Sequence, residues 1–211
     1  MPPVPGSERE SRARGARAAA PPLGPGDCPL EALREVYFLQ RQICLDMETL
    51  ADTTTARPAL ALAVLTNLCR DLPLHHADED EGLFPLLRAR ALEEDEIDRL
   101  LTRLSADHEA KAAAIQPLLA ALACMADQAL PAPEDRVALR ALAQAERRHM
   151  IIENAILLPL AQARLTDADR RQLIAAMAAR RATPPALLGP CARLSIPAPA
   201  ADAAQTPGAP Q

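Results

Sequence analysis

One spaced pattern occurs twice in this chain and restricts the fold more than any other feature. His75, Glu79, Leu83, Pro85 and Leu86 recur with identical spacing as His149, Glu153, Leu157, Pro159 and Leu160, and an Ala-Arg pair follows at 89 and 90 and again at 163 and 164. In a helix, positions i and i+4 stack on one face, so each copy presents an imidazole and a carboxylate together. The same face is apolar. Leu65, Leu68 and Leu72 continue it before His75, and Leu83 and Leu86 after Glu79. Leu142, Ile156 and Leu160 surround the second pair. Both pairs are therefore expected to point into a helical interior.

Two further helices offer matching stripes. His108 lies among Leu101, Leu104, Ile115 and Leu119, and Tyr37 shares a face with Leu30, Leu33, Cys44 and Met47. No Lys or Arg is expected on the inward faces, so the two carboxylates would lack a protein cation. An unpaired buried carboxylate costs several kcal/mol, and a whole domain keeps only about 5–15 kcal/mol of net stability. A bound metal cation resolves the conflict.

Few residues are β-branched and Ala and Leu are abundant, which favours helices over sheets. The expected helices cover about 30–51, with Asp27 as its cap and Pro29 at its start, then 58–90, 94–127 and 134–162. A shorter fifth helix after Thr166 carries Leu173, Ile174 and Met177 on one side. Short connections between long helices imply antiparallel neighbours. The expected fold is all-α, an antiparallel up-down-up-down four-helix bundle with a short fifth helix over residues 28–181. Residues 1–27 and the Ala/Pro-rich stretch 182–211 lack apolar periodicity and are expected to be disordered tails.

Composition removes several function classes. The formal net charge of the 211 residues is -5, with no Trp, one Tyr and two Phe. Neither a basic stripe nor stacking aromatics are present for nucleic acid. The longest uncharged helical run, Ala112 to Ala126, is shorter than the roughly 18–20 residues of a membrane span. The first residues contain Arg but no apolar stretch like that of a secretory signal. Five Cys in odd number, without a Cys-x-x-Cys pair, argue against a disulfide framework and for a reducing cytoplasm. Cys44 and Cys69 are expected to pack rather than react.

Imidazole with carboxylate suits iron, manganese or zinc, and a carboxylate can bridge two ions roughly 3.5–4 Å apart. The spaced His and Glu with Leu-Phe-Pro at 83–85, the later His and Glu with Leu-Leu-Pro at 157–159, and the Asp107-His108 pair resemble the hemerythrin family in its bacterial HHE cation-binding form, over about residues 30–165. The resemblance implies His75, Glu79, His108, His149 and Glu153 as ligands of non-haem iron. The two Glu would bridge a pair of ions, with a single ion as the alternative. Two positions depart from the family pattern. Tyr37 stands where the first helix usually supplies His, and Ala112 where the third usually supplies His or a carboxylate. Tyrosine can ligate iron as phenolate, so Tyr37 joins the expected set, while Ala112 leaves a position open.

Gln40, His76 and Glu146 are expected just outside the ligands. Asp78, Asp80, Glu81 and the run Glu93 to Glu96 read as solvated faces. Glu146 with His149 also forms the Glu-x-x-His motif of ferritin-like proteins, but that fold requires a second copy and the sequence has none. The implied function is to sense or handle oxygen, peroxide or nitric oxide, or to sequester iron. A catalase-like or oxidase di-iron enzyme and a metal-free helical interaction module are the competing readings.

Overall fold

A computed structural model describes residues 27–182 and Cys191. The tails expected at 1–27 and 182–211 lie outside the described residues, apart from Asp27, Ala182 and Cys191. The described residues form an all-α bundle of four long helical rods and a fifth helix, with no strand. Helix α1 is Pro29–Asp52. Its N-cap is Cys28, without a side-chain cap bond, so Asp27 is not the cap expected from sequence; Pro29 does occupy the first turn. Helix α2 spans 58–90. Helix α3 is Ile97–Ala126, entered through a short 3-10 turn, Glu93–Asp95. Helix α4 spans 133–164 and α5 is Asp167–Ala182.

Polar contacts fix the directions. Arg136 donates to the Ala51 carbonyl near the end of α1, while Arg147, further along α4, grips Glu48. In the same way Arg88 pairs with Asp98, whereas Asp80, earlier in α2, meets Ser105 and His108, later in α3. Neighbours therefore run antiparallel, as the short connections imply.

Helices α2 and α4 are not uniform. α2 contains π turns at Asn67–Asp71 and Glu79–Leu83, and α4 contains one at Glu153–Leu157. Each π turn ends two residues before a proline, at Pro73, Pro85 and Pro159. A helical proline has no N–H to donate and its ring collides with the carbonyl four residues back. Widening the preceding turn relieves that collision, so the helices continue through their prolines. The extra residue also moves the register. Beyond Glu79 the fully buried residues are Leu83, Phe84 and Leu87, and beyond Glu153 they are Leu157, Leu158 and Ala161. Leu86 and Leu160, expected inward, are only partly buried, and Ile156 is exposed. A uniform 3.6-residue period puts these three on the wrong side, because it omits the π turn.

Elsewhere the expected stripes hold. Leu30, Leu33, Tyr37, Cys44 and Met47 on α1, Leu101, Leu104, Ile115 and Leu119 on α3, and Leu173, Ile174 and Met177 on α5 are all buried. Two acidic segments differ from the solvated faces expected of them. Asp78 is fully buried against Arg180 and Arg181 of α5. Asp95 accepts both arms of Arg164, which holds its carboxyl down at about 2, and also caps the Leu92 N–H. The cysteines differ as well: Cys69 is disulfide-bonded to Cys191, with Cα atoms 5.7 Å apart. Two of the five thiols are thus paired, and the odd count loses its force as a sign of a reducing compartment.

The start of α5 is tied to the end of α2. Thr166 and Asp169 exchange side-chain and backbone hydrogen bonds as a capping box, and Arg90 donates two bonds to the same Asp169 carboxylate. Arg90 first, then Thr166, holds this carboxyl well below the usual range. A depressed folded-state pKa contributes stability that is present above the unfolded pKa and lost as pH falls through the folded one. Asp169→Asn should therefore lower the melting temperature at neutral pH. The gap between variant and wild type should shrink progressively below about pH 4, where unfolded aspartate begins to protonate. Parallel thermal melts across a pH series check this.

Candidate metal centre

Four side chains from three helices meet at the centre of the bundle. Glu79 opens the second π turn of α2, His108 comes from the middle of α3, and His149 and Glu153 lie on either side of the α4 junction between α and π geometry. One ligand atom from each lies within 4.8 Å of all the others, and all four residues are buried. The Nε2 atoms of His108 and His149 are 2.8 Å apart. Glu79 Oε2 is 3.4 Å from His108 Nε2, and Glu153 Oε1 is 2.7 Å from His149 Nε2.

A surrounding set orients these groups. Asp80 Oδ2 is 2.8 Å from His108 Nδ1, and its Oδ1 accepts the Ser105 hydroxyl. When Nδ1–H donates to Asp80, the neutral His108 ring has its lone pair on Nε2, facing the cluster. The Tyr37 hydroxyl donates to Glu79 Oε1 at 2.7 Å. His75 Nε2 is 3.8 Å from Glu79 Oε2, with its ring edge-on to Tyr37. The His76 ring stacks on His108 at 3.9 Å between centroids. Asp107 lies 3.7 Å from His149 Nδ1.

Burial governs the protonation of these groups. It lowers His75 and His149 to about 4, with the Lys111 charge the next contribution at His149, and raises the Glu153 carboxyl to about 7. His76 is lowered for the same reason. At His108 burial also opposes the charge, but the Glu79 and Asp80 carboxylates outweigh it and raise the pKa. The Tyr37 phenol is driven well above its ordinary value by burial and then by the charge on Glu79. Burial thus favours neutral imidazole at His75, His76 and His149, the form that binds a metal.

The residues fit a cation. Both oxygens of Glu153 and Oε2 of Glu79 are buried without a hydrogen-bond partner. Buried carboxylate oxygens are nearly always satisfied, so three such atoms beside two imidazole nitrogens match a metal in chemistry and in arrangement.

Most of the residues singled out from sequence gather here, but with different weights. Glu79, His108, His149 and Glu153 form the inner group. His75 and Tyr37 adjoin it through Glu79, and His76 lies on His108. Gln40 and Glu146 are buried. Cys44 packs fully buried, its thiol pushed to about 12 by burial. Three expectations need correction. Asp80 is only partly solvated, since one of its oxygens holds His108. Ala112 is exposed and leaves no opening at the centre. The inward position on α3 is Lys111, three residues after His108, and its Nζ lies 3.3 Å from Glu146 Oε2. An inward basic residue was not expected, although the spacing Leu104, His108, Lys111, Ile115 follows one helical face.

Fold and site together define a helical bundle with a buried His/carboxylate cation-binding cluster. The family model of the hemerythrin HHE cation binding domain matches residues 31–161, and the chain belongs to that family. No curated protein and no solved structure matches it.

Carboxylates buried without partners should make the bundle depend on its ion. Removing metal should lower the melting temperature, by an amount equivalent to about 4 kcal/mol when free metal had stood at a thousand times its Kd. Glu79→Gln combined with Glu153→Gln should raise the melting temperature of the metal-free form while weakening metal binding. Calorimetric melts of chelated and reloaded protein check both signs.

Proposed function

We propose that the chain binds non-haem iron through Glu79, His108, His149 and Glu153, with His75 at the edge of the same site. In this reading it senses or handles a small ligand such as oxygen, peroxide or nitric oxide, or holds iron in store. The observation that carries it is the set of unpartnered Glu153 and Glu79 oxygens facing two imidazole nitrogens. Bound iron would supply one-electron redox chemistry and affinity for such small ligands. The chain's own residues orient and enclose it: Asp80 fixes the His108 ring, Tyr37 holds one Glu79 oxygen, and Phe84 and His76 flank His108.

The reading assigns the protein to a small-molecule ligand rather than to nucleic acid or a membrane. Its charge is mildly acidic. Helix α3 is long and apolar enough by composition to cross a membrane, but Leu101, Leu104, Leu118 and Leu122 go into the bundle core and His108 into the site.

Protein purified without added metal should contain iron, and His108→Ala with His149→Ala should abolish it. Stoichiometric zinc without iron, or an iron-replete preparation without metal, would sink the reading. Tyr37→Phe tests the role of the phenol. As a donor to Glu79 it should matter indirectly, so the variant should bind iron roughly 10–100-fold more weakly with an unchanged visible spectrum. Loss of a broad visible charge-transfer band would instead establish Tyr37 as a phenolate ligand.

A further inference from the structure

Resting on that metal reading, we propose that Lys111 is a built-in counter-cation that limits the centre to one divalent ion per chain. Lys111 is one turn along α3 from His108, and Glu146 is one turn along α4 from His149, in the opposite chain direction. Because the two helices are antiparallel, both steps go the same way, and the pair forms the next layer of the interior. Its ammonium nitrogen and carboxylate oxygen are 3.3 Å apart. Lys111 is 5% exposed and Glu146 2%, so the charges are withdrawn from water along with those of the cluster.

Charge balance then sets the number of ions. Apart from Asp78 and from Asp169, which Arg90 matches, the described interior holds three carboxylates, Glu79, Glu146 and Glu153, and one ammonium, Lys111. Asp78 is already matched by Arg180 and Arg181. Asp80 and Asp107, at 32% and 44% side-chain exposure, reach water. The remaining deficit is two positive charges, which one divalent ion closes. A second divalent ion would leave a surplus of two in a low-dielectric interior, next to a fixed ammonium.

The donors point the same way. A second ion would need further ligands from α3 and α4. On α3 the inward position is an ammonium, which has no lone pair, and Ala112 faces out. On α4 the next inward carboxylate, Glu146, is engaged by that ammonium. The remaining imidazoles on α2 are His75, which already shares Glu79 with the first site, and His76, whose ring is stacked on His108. A single-ion centre suits one-electron chemistry or iron retention better than two-electron chemistry at a paired centre.

The full chain is titrated anaerobically with ferrous iron by calorimetry, and bound metal is measured after desalting. Wild type should bind one equivalent, and after oxidation should give the paramagnetic resonance signal of an isolated high-spin ferric ion. Lys111→Glu removes the ammonium and adds a donor, so it should bind two equivalents. Lys111→Met removes only the charge, so it should bind its ion at least about tenfold more tightly. Circular dichroism confirms that each variant keeps its helices. Two equivalents in wild type would overturn the inference and leave the metal reading standing. No metal in wild type would overturn the metal reading, and the inference with it. A folded Lys111→Glu protein that still takes one equivalent would show that Lys111 is not the limit. If that variant does not fold, an unchanged affinity in Lys111→Met overturns the inference by itself.

Discussion

Buried carboxylates lie at the middle of this bundle, where water cannot reach them, and each must be matched by something the helices bring. Glu79, Glu153 and Asp78 are fully buried, and Glu146 almost equally so. An ionised carboxylate in such surroundings persists only with a cation or a full set of donors. Asp78 has two guanidinium groups, Glu146 has Lys111, and Glu79 has the Tyr37 hydroxyl on one oxygen. Glu153 has no hydrogen bond to either oxygen. The charge is thus compensated outside the cluster and left open at its centre, which is the distribution expected of a cation site.

Backbone geometry adapts to the same requirement. The two repeats place His on regular α-helix and Glu at the first residue of a π turn, and the proline that follows is accommodated by that turn. The widened turn rotates the chain beyond each Glu, so that Leu83 and Phe84 in one copy, and Leu157 and Leu158 in the other, turn into the core. Phe84 also faces the His108 ring, 6.0 Å between centroids. Apolar closure keeps the dielectric low and so strengthens every charge interaction within.

The inner four residues and their helices were legible in the sequence because the repeat and the apolar stripes share one period. The rest depended on other information. Leu86, Ile156 and Leu160 were misplaced because a π turn breaks that period, although the prolines at 85 and 159 mark where it happens. Lys111 is legible in principle at i+3 from His108, but the i+4 spacing of the family pattern selects Ala112 instead. Asp78 and Asp80 look alike within an acidic run, and the tertiary positions of Arg181 and His108 separate them from the exposed Glu81, which shares Arg180 with Asp78. The pairing of Cys69 with Cys191 spans 122 residues of sequence, and no local spacing announces it.

Helix α5 extends the same electrostatic scheme beyond the region the family model matches, which ends at residue 161. It lies against α2 at the turn that carries Glu79. A Cβ on Gly82 would come within 2.8 Å of Leu173 Cδ1, so the absence of a side chain there lets α5 approach. At its far end Arg180 and Arg181 reach Asp78, the residue just before Glu79, and at its near end Asp169 holds Arg90. Removing α5 would therefore do more than expose Leu173, Ile174 and Met177. It would leave the Asp78 carboxylate without its cations beside a cluster already rich in negative charge, and the like-charge repulsion would act directly on Glu79. The fifth helix thus completes the charge balance of the centre without contributing a ligand, and its two terminal clamps hold it where that balance requires it.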